Sequence, residues 1–179
     1  MQVSFTANRV SVVIPCFRQA HFLEACLASL QAQSWPNWEA IVIDDGSPDD
    51  TQQVLARLAV AEPRLRSVAQ PNRGLPAARN AGLAVATGEF VQFLDADDLI
   101  ESDKFQWQVA VLNSRSDSSL VFGDALYFDD SDPSRRSYAR NLDPAAQNWI
   151  QTEAVRDAPQ LEKLLIRNQF PVCAPLVRR

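Results

Sequence analysis

Short apolar runs alternate with amphipathic segments along the first two thirds of this sequence. The runs that read as strands are Val10–Ile14, Ala40–Ile43, Leu65–Ala69 and Phe90–Leu94. Between them, apolar residues recur at the spacing of one helix face, and Pro15 is expected to stop the first strand. This alternation is typical of crossover units, in which neighbouring strands run parallel. The sequence therefore predicts an α/β fold: a doubly wound, mostly parallel sheet with helices on both faces.

The remaining segments fit a single domain, as expected for 179 residues. Leu75–Thr87 is rich in Ala and Leu and predicts a helix that Gly88 terminates. A helix over Asp103–Asn113 and a strand at Leu120–Phe122 are expected next. The stretch Asp129–Arg136 is polar and rich in turn formers, which predicts an exposed loop.

Three carboxylates directly follow the strand Phe90–Leu94, and we call Asp95, Asp97 and Asp98 the acidic cluster. Like charges this close raise one another's pKa unless a cation or strong donors neutralise them. A hard divalent ion such as Mg²⁺ or Mn²⁺ suits such oxygen ligands. The alternative is that Asp97 or Asp98 caps a helix beginning near Glu101. For three carboxylates behind one buried strand, the sequence favours the metal site.

A second acidic pair, Asp44-Asp45, follows the strand Ala40–Ile43 and precedes Gly46-Ser47. Ligands of doubly wound sheets bind at the carboxyl ends of the strands, where both acidic groups are predicted to lie. Asp45 could accept a hydrogen bond from an N–H of a nucleobase, or the pair could form only a turn and a helix cap. Phe17, after the first strand, could stack on a base or pack in the core.

Arg79 lies on the helix that follows the turn Gln70–Gly74. It could bind phosphate, or it could form a structural salt bridge to the acidic cluster. His21 is the only histidine, so a Ser-His-Asp triad or a two-histidine zinc site cannot form within this chain. Neither a dinucleotide-binding glycine fingerprint nor a P-loop is present.

Composition limits which binding partners and which cellular compartment are expected. The net charge of −5 and the scattered arginines predict no nucleic-acid partner. Cys16, Cys26 and Cys173 lack the spacing of a disulfide framework or a zinc site, which favours a reducing compartment. No apolar run is long enough to cross a bilayer, and the first residues do not resemble a signal peptide. We therefore expect a cytoplasmic protein, a placement compatible with peripheral membrane association.

Four strings of this sequence together resemble the inverting family 2 glycosyltransferases of GT-A fold. They are Val10-Ser11-Val12-Val13-Ile14-Pro15-Cys16-Phe17, Val42-Ile43-Asp44-Asp45-Gly46-Ser47, Gly74-Leu75-Pro76-Ala77-Ala78-Arg79-Asn80 and Phe93-Leu94-Asp95-Ala96-Asp97-Asp98. The resemblance implies a nucleotide-sugar donor, most often a UDP-sugar, and an Mn²⁺ or Mg²⁺ cofactor. It places Pro15 and Phe17 in the base pocket, Asp45 on the base, Asp95 near the ribose, Gly74 and Arg79 in the donor site, and Asp97 and Asp98 on the metal.

The resemblance also implies a division of the chain. Residues 8–125 would form the nucleotide-sugar donor-binding domain, and residues 126–179 would begin an acceptor-side region for a saccharide or lipid-linked acceptor. The family's catalytic carboxylate comes from a downstream acidic motif, so the general base is expected beyond Arg179, with Asp124 as the remaining candidate. Phe17 replaces the family's usual tyrosine, and Arg18 its usual asparagine.

Three other classes of protein compete with this resemblance. A non-enzymatic nucleotide-sugar-binding module is the main alternative, because the catalytic base is missing. A phosphoacceptor receiver domain would need its acidic pair after the first strand, where this chain has Pro15-Cys16-Phe17. A nucleotidyltransferase would need a basic, glycine-rich loop near its start, and none is present.

Overall fold

The computed structural model describes residues 5–123, 125–129, 132–138 and 173–179. From residue 6 to residue 122, strands and helices alternate as the sequence predicts. The elements are β1 (Thr6–Cys16), a 3₁₀ turn (Ala20–Phe22), α1 (Leu23–Gln31), β2 (Trp38–Asp44), α2 (Thr51–Ala61), β3 (Leu65–Ala69), α3 (Leu75–Val85), β4 (Gly88–Phe93), α4 (Lys104–Ser114), β5 (Leu120–Phe122), β6 (Leu126–Asp129), β7 (Asp132–Tyr138) and β8 (Pro175–Arg178).

Six of these strands form one mixed sheet in the order β3-β2-β1-β4-β8-β5. The first four are parallel, with Val12 opposite Ala40 on β2. β8 runs antiparallel to both of its neighbours, β4 and β5. The chain order reverses between β1 and β4, which makes the gap between their carboxyl ends the switch point of a doubly wound sheet. The predicted α/β fold class is confirmed.

Helices cover both faces of the sheet. α1, α2 and α4 contribute Leu23, Leu55 and Phe105 to the larger core, which includes Val12 of β1. α3 packs on the opposite face, where Ala78 joins the smaller core formed by β2. Gly82 lets α3 approach closely, because a Cβ atom there would lie 2.3 Å from Cγ1 of Val13.

Pro15 does not end the first strand, contrary to the prediction from sequence. β1 continues through Cys16, and Pro15 lies opposite Ile43 of β2. The backbone N–H and C=O groups of successive residues in a strand point alternately to its two sides. The carbonyl oxygen of Val13 points toward β4, since it accepts from the N–H of Leu94 at 3.1 Å. The Pro15 nitrogen faces that same side, beyond the last residue of β1 that pairs with β4. No ladder bond is lost, so the proline is tolerated.

Gly88 does not terminate α3, so this expectation was also wrong. The helix ends at Val85, Ala86 is already extended, and Gly88 is the first residue of β4. A Cβ atom on Gly88 would lie 2.4 Å from the carbonyl oxygen of Arg9. The glycine therefore serves the close approach of β4 to β1 rather than a helix cap.

Where the structure describes it, the segment predicted as an exposed loop, Asp129–Arg136, instead belongs to the two strands of a hairpin, with Asp129 in β6 and residues 132–136 in β7. β6 and β7 pair antiparallel from Leu126↔Tyr138 to Asp129↔Asp132 and form a separate two-stranded sheet. Polar composition hid this hairpin, because an alternating apolar pattern is absent from β7. Of the predicted acceptor-side region, the described residues are this hairpin and 173–179. Across the described part of the chain, no helix combines the length and apolar character needed to span a membrane.

Candidate functional site

The carboxyl ends of three neighbouring parallel strands bring the predicted site residues to one side of the sheet. We call this side the carboxyl edge: Cys16–Phe17 after β1, Asp44–Ser47 after β2 and Asp95–Asp98 after β4. β1 lies between β2 and β4, so both acidic groups flank the end of β1. Phe17 is 39% exposed, which leaves its ring available for stacking.

Asp45 is the most densely bonded side chain of this edge. Its Oδ1 accepts hydrogen bonds from Nε2 of Gln70 at 2.7 Å and from the backbone N–H of Arg73 at 2.9 Å. Its Oδ2 accepts from the backbone N–H of Gly74 at 2.8 Å. Burial alone would raise the pKa of Asp45, but these three hydrogen bonds outweigh it and hold the pKa below its usual range. Asp45 is therefore an ionised carboxylate that fixes the loop before α3.

Asp44 and Ser47 shape the loop beside Phe17. Oδ1 of the buried Asp44 accepts from the backbone N–H of Ser47 at 2.9 Å, closing a turn at Gly46, whose φ is +73°. The Ser47 hydroxyl oxygen in turn accepts from the backbone N–H of Arg18 at 3.2 Å. Arg18 has a φ of +59°, in the left-handed region that non-glycine residues rarely occupy. The turn after β2 thus holds the strained residue next to Phe17.

Arg79 reaches from α3 to the acidic cluster. Its Nη2 lies 2.8 Å from Oδ1 of Asp95, and both side chains are partly exposed, at 24% and 32%. The geometry is that of the salt bridge foreseen as the alternative to phosphate binding. Gly74, with a φ of +83°, precedes α3 and carries the N–H that Asp45 binds. Asp45 and Asp95 are therefore linked through the loop before α3 and Arg79.

Asp97 and Asp98 face different surroundings. Asp97 is exposed and makes no hydrogen bond or ion pair with the described residues, whereas Asp98 is half-buried. Burial raises the pKa of Asp98, and the charges of Asp95 and Asp97 raise it further, although a hydrogen bond with the Cys173 thiol acts in the opposite direction. Neither residue caps a helix, since α4 begins only at Lys104.

These carboxylates suit a divalent ion that is shared with a ligand. Among the described residues, no group of three or more His, Cys, Asp or Glu side chains is arranged to hold a metal by itself. Mg²⁺ is usually held by one or two carboxylates together with substrate phosphates and waters. Asp97 is exposed and has no partner among the described residues, and burial and like charge both raise the pKa of its neighbour Asp98, which matches that arrangement. The residues present therefore fit Mn²⁺ or Mg²⁺.

Two predicted site residues remain, Pro15 and Asp124. Pro15 is buried in β1, so it borders the carboxyl edge only through its neighbours. Asp124, the candidate base, lies outside the described residues.

Sequence reasoning missed two sets of contacts at this edge. Gln70 was read only as a turn residue, yet its side chain binds Asp45. The chain before β8 is held by side chains of β4 and α4: Nε2 of Gln92 donates to Cys173 O at 3.0 Å, and Nζ of Lys104 donates to Ala174 O at 2.9 Å. These bonds join residues about 70 to 80 positions apart, so no local pattern reveals them.

Comparison with curated proteins finds glycosyltransferases. The uncharacterized glycosyltransferase YibD of Escherichia coli is 40% identical over 93 residues, which are 52% of this chain and 27% of YibD. TuaG of Bacillus subtilis, a putative teichuronic acid biosynthesis glycosyltransferase, is 34% identical over 125 residues, or 69% of this chain and 50% of TuaG. The chain thus spans between about a quarter and a half of the length of these two relatives.

Solved structures share the fold. TarS of S. aureus in complex with UDP-GlcNAc is 30% identical with a TM-score of 0.59, and the match covers 64% of this chain and 33% of TarS. The mannosyltransferase PcManGT of Pyrobaculum calidifontis, in complex with GDP-Man and Mn²⁺, is 30% identical with a TM-score of 0.57 and coverage of 64% and 35%. The family model "Glycosyl transferase family 2" matches residues 11–175, nearly the whole chain. The resemblance seen in the sequence is confirmed: the chain belongs to glycosyltransferase family 2.

Proposed function

We propose that this chain forms the donor-binding part of an inverting, metal-dependent glycosyltransferase that uses a nucleotide-sugar, with UDP as the preferred nucleotide. The observation that carries the proposal is the convergence of Phe17, Asp45 and the acidic cluster at one carboxyl edge. Solved relatives bind a uracil nucleotide in one case and a guanine nucleotide in another. Similarity to these relatives therefore does not determine the nucleobase, and the preference depends on this chain's own residues.

The nucleotide would lie along the carboxyl edge from β2 to β4. The exposed ring of Phe17 offers an apolar face for a planar base, and Asp45 offers a charged acceptor for an N–H of that base. Asp95, oriented by Arg79, lies between the base side and the metal side of this edge and can accept from a ribose hydroxyl. The nucleoside would thus be fixed by one stacking contact and two carboxylates.

Asp97 and Asp98 would hold Mn²⁺ or Mg²⁺ next to the diphosphate. When bound, the ion neutralises the negative charge that develops on the departing nucleoside diphosphate. The net charge of this chain is −5, so a cation at this edge also offsets repulsion between the protein and its anionic donor.

Sugar transfer would proceed by one in-line displacement, with inversion at the anomeric carbon. The acceptor hydroxyl must lose a proton to a base as it attacks. Asp45 accepts three internal hydrogen bonds and Asp95 is paired with Arg79, so neither is suited to that role. We assign the base to a residue outside the donor-side edge, either Asp124 or one beyond Arg179. The sugar and the acceptor are left open.

Calorimetric titration of UDP tests the donor site. We expect binding to this chain in Mn²⁺ to be at least about tenfold tighter than in its absence, because Asp97 would hold an ion whose charge would offset that of the diphosphate. Asp97→Asn removes the charge with almost no change of shape, and it should abolish the dependence on Mn²⁺.

Asp103→Asn is the matched control. Asp103 is also exposed and lies six residues further on, but its carboxylate accepts from Nε1 of Trp107 at 3.0 Å rather than joining the acidic cluster. This variant should retain Mn²⁺-dependent binding. Equal loss of binding in both variants, or UDP binding that ignores Mn²⁺, would count against the proposed site.

A further inference from the structure

We propose that Gln70 determines which nucleobase the donor site accepts, by filling one of the acceptor positions of Asp45. This inference rests on the proposed donor site and goes beyond it, since it assigns a specificity role to a residue outside the sequence motifs. Its basis is a count of hydrogen bonds on the Asp45 carboxylate.

The described residues occupy three of the four lone-pair positions of this carboxylate. Each carboxylate oxygen accepts about two hydrogen bonds in the plane of the group. Oδ1 of Asp45 accepts from Nε2 of Gln70 at 2.7 Å and from the N–H of Arg73 at 2.9 Å, so it is full. Oδ2 accepts from the N–H of Gly74 at 2.8 Å and has one position left. Asp45 can therefore accept one further donor, and only at Oδ2.

Nucleobases differ in how many donors they present side by side. Uracil has a single imide N–H between two carbonyl groups. Guanine presents a ring N–H next to an exocyclic amino group, a pair of donors that matches both oxygens of a carboxylate. With Oδ1 full, the amino group of guanine would be left without its acceptor, and an unpaired buried donor lowers affinity. The occupied carboxylate is therefore matched to uracil.

Gln70 is the side chain on which this preference depends. The other two donors to Asp45 are backbone N–H groups of Arg73 and Gly74, which no side-chain substitution removes. Gln70 is also held in place, because its own N–H donates to the carbonyl oxygen of Asp44 at 3.0 Å. A residue without a donor at position 70 would free one position on Oδ1 while leaving the loop bonded to the sheet.

Titration with GDP and IDP isolates the second donor of guanine, because IDP lacks only the exocyclic amino group. For the unaltered chain with Mn²⁺, we expect UDP to bind most tightly and the Kd values of GDP and IDP to agree within about threefold. For Gln70→Met, which keeps the length of the side chain and removes its donor, GDP should bind about tenfold or more tighter than IDP. Gln53→Met, the same substitution on an exposed face of α2, should behave like the unaltered chain.

Gln70→Leu is a second variant, and thermal unfolding by circular dichroism identifies whichever variant is folded. The role of Gln70 is overturned if the ratio of the Kd values of GDP and IDP is unchanged in the Gln70 variants. It is also overturned if the unaltered chain already prefers GDP about tenfold. In both cases the proposed donor site stands. If none of the three nucleotides binds the unaltered chain, the proposed donor site fails and this inference fails with it.

Discussion

Replacing Glu39 by glutamine should lower the free energy of unfolding by about 2–4 kcal/mol at neutral pH. Glu39 is 5% exposed at the amino end of β2, far from the carboxyl edge. Its Oε1 accepts from the Ser11 hydroxyl at 2.6 Å and from the N–H and hydroxyl of Thr87, both at 2.8 Å. Nη2 of Arg66 lies 3.1 Å from Oε2. Through these bonds Glu39 joins β2 to β1 and to the start of β4.

The magnitude follows from what glutamine retains. The amide oxygen can still accept from Ser11 and Thr87, but three charge-assisted bonds become neutral ones, each weaker by about 1 kcal/mol. The amide N–H₂ replaces Oε2 and faces Arg66, donor against donor. Arg66 is 41% exposed, so the lost ion pair adds at most about 1 kcal/mol after solvent screening.

The loss should also depend on pH. Burial alone would raise the pKa of Glu39, but the hydrogen bonds from Ser11 and Thr87 outweigh it and hold the pKa below its ordinary value of 4.5. The stabilisation is therefore complete above pH 4.5 and disappears as the pH falls through the lower pKa of the folded state. The difference in the free energy of unfolding between the unaltered chain and the Glu39→Gln protein should shrink over the same pH range.

Urea unfolding at pH 7 and at lower pH measures both effects. Glu24→Gln is the control, because Glu24 pairs with Arg57 at 3.1 Å while 69% exposed, and its loss should cost less than about 1 kcal/mol. A Glu39→Gln protein as stable as the Glu24→Gln protein at pH 7 would refute the reasoning. A difference in the free energy of unfolding between the unaltered chain and the Glu39→Gln protein that grows as the pH falls would also refute it.

Two further predictions concern packing and buried charge. Gly82→Ala should destabilise the fold by about 1–3 kcal/mol in urea unfolding, because the new Cβ overlaps β1. Gly123→Ala should cost clearly less, because the atom nearest to its new Cβ is 4.0 Å away. Equal losses of stability in the two variants would contradict the close packing of α3. Burial lowers the pKa of Lys104 from 10.5 to about 7, so the unfolded chain binds this proton more tightly, and the contribution of Lys104 to the free energy of unfolding should rise as the pH increases from 7 to 9. Lys104→Met should flatten that rise in urea midpoints at pH 7 and 9, and an unchanged slope would show that Lys104 is not its source.

The sequence predicted the parallel part of the fold because that part is built from consecutive units. β1 to β4 and the helices between them carry local periodicity, and their carboxyl ends necessarily share one side of the sheet. The sequence alone therefore places Asp45 and the acidic cluster at one edge. The β3 bounds, Leu65–Ala69, were predicted without error.

What the sequence could not predict depends on contacts between distant residues. β8 inserts antiparallel between β4 and β5, although it follows β5 by more than fifty residues. Pro15 and Gly88 were misread as stop signals because their local preferences gave way to the pairing of β1 with its neighbours. The Gln70 contact with Asp45 belongs to the same class, since a turn residue carries no signal of the carboxylate it binds across the sheet.

A crystal structure of this chain with UDP and Mn²⁺ would test the central claim most directly, with the metal located by its anomalous scattering. Our account predicts an anomalous peak within coordinating distance of the Asp97 carboxylate, the uracil ring against Phe17 and its imide N–H on Oδ2 of Asp45. UDP bound away from the carboxyl edge, or Mn²⁺ bound without Asp97 and Asp98, would contradict the assignment of this edge as the donor site.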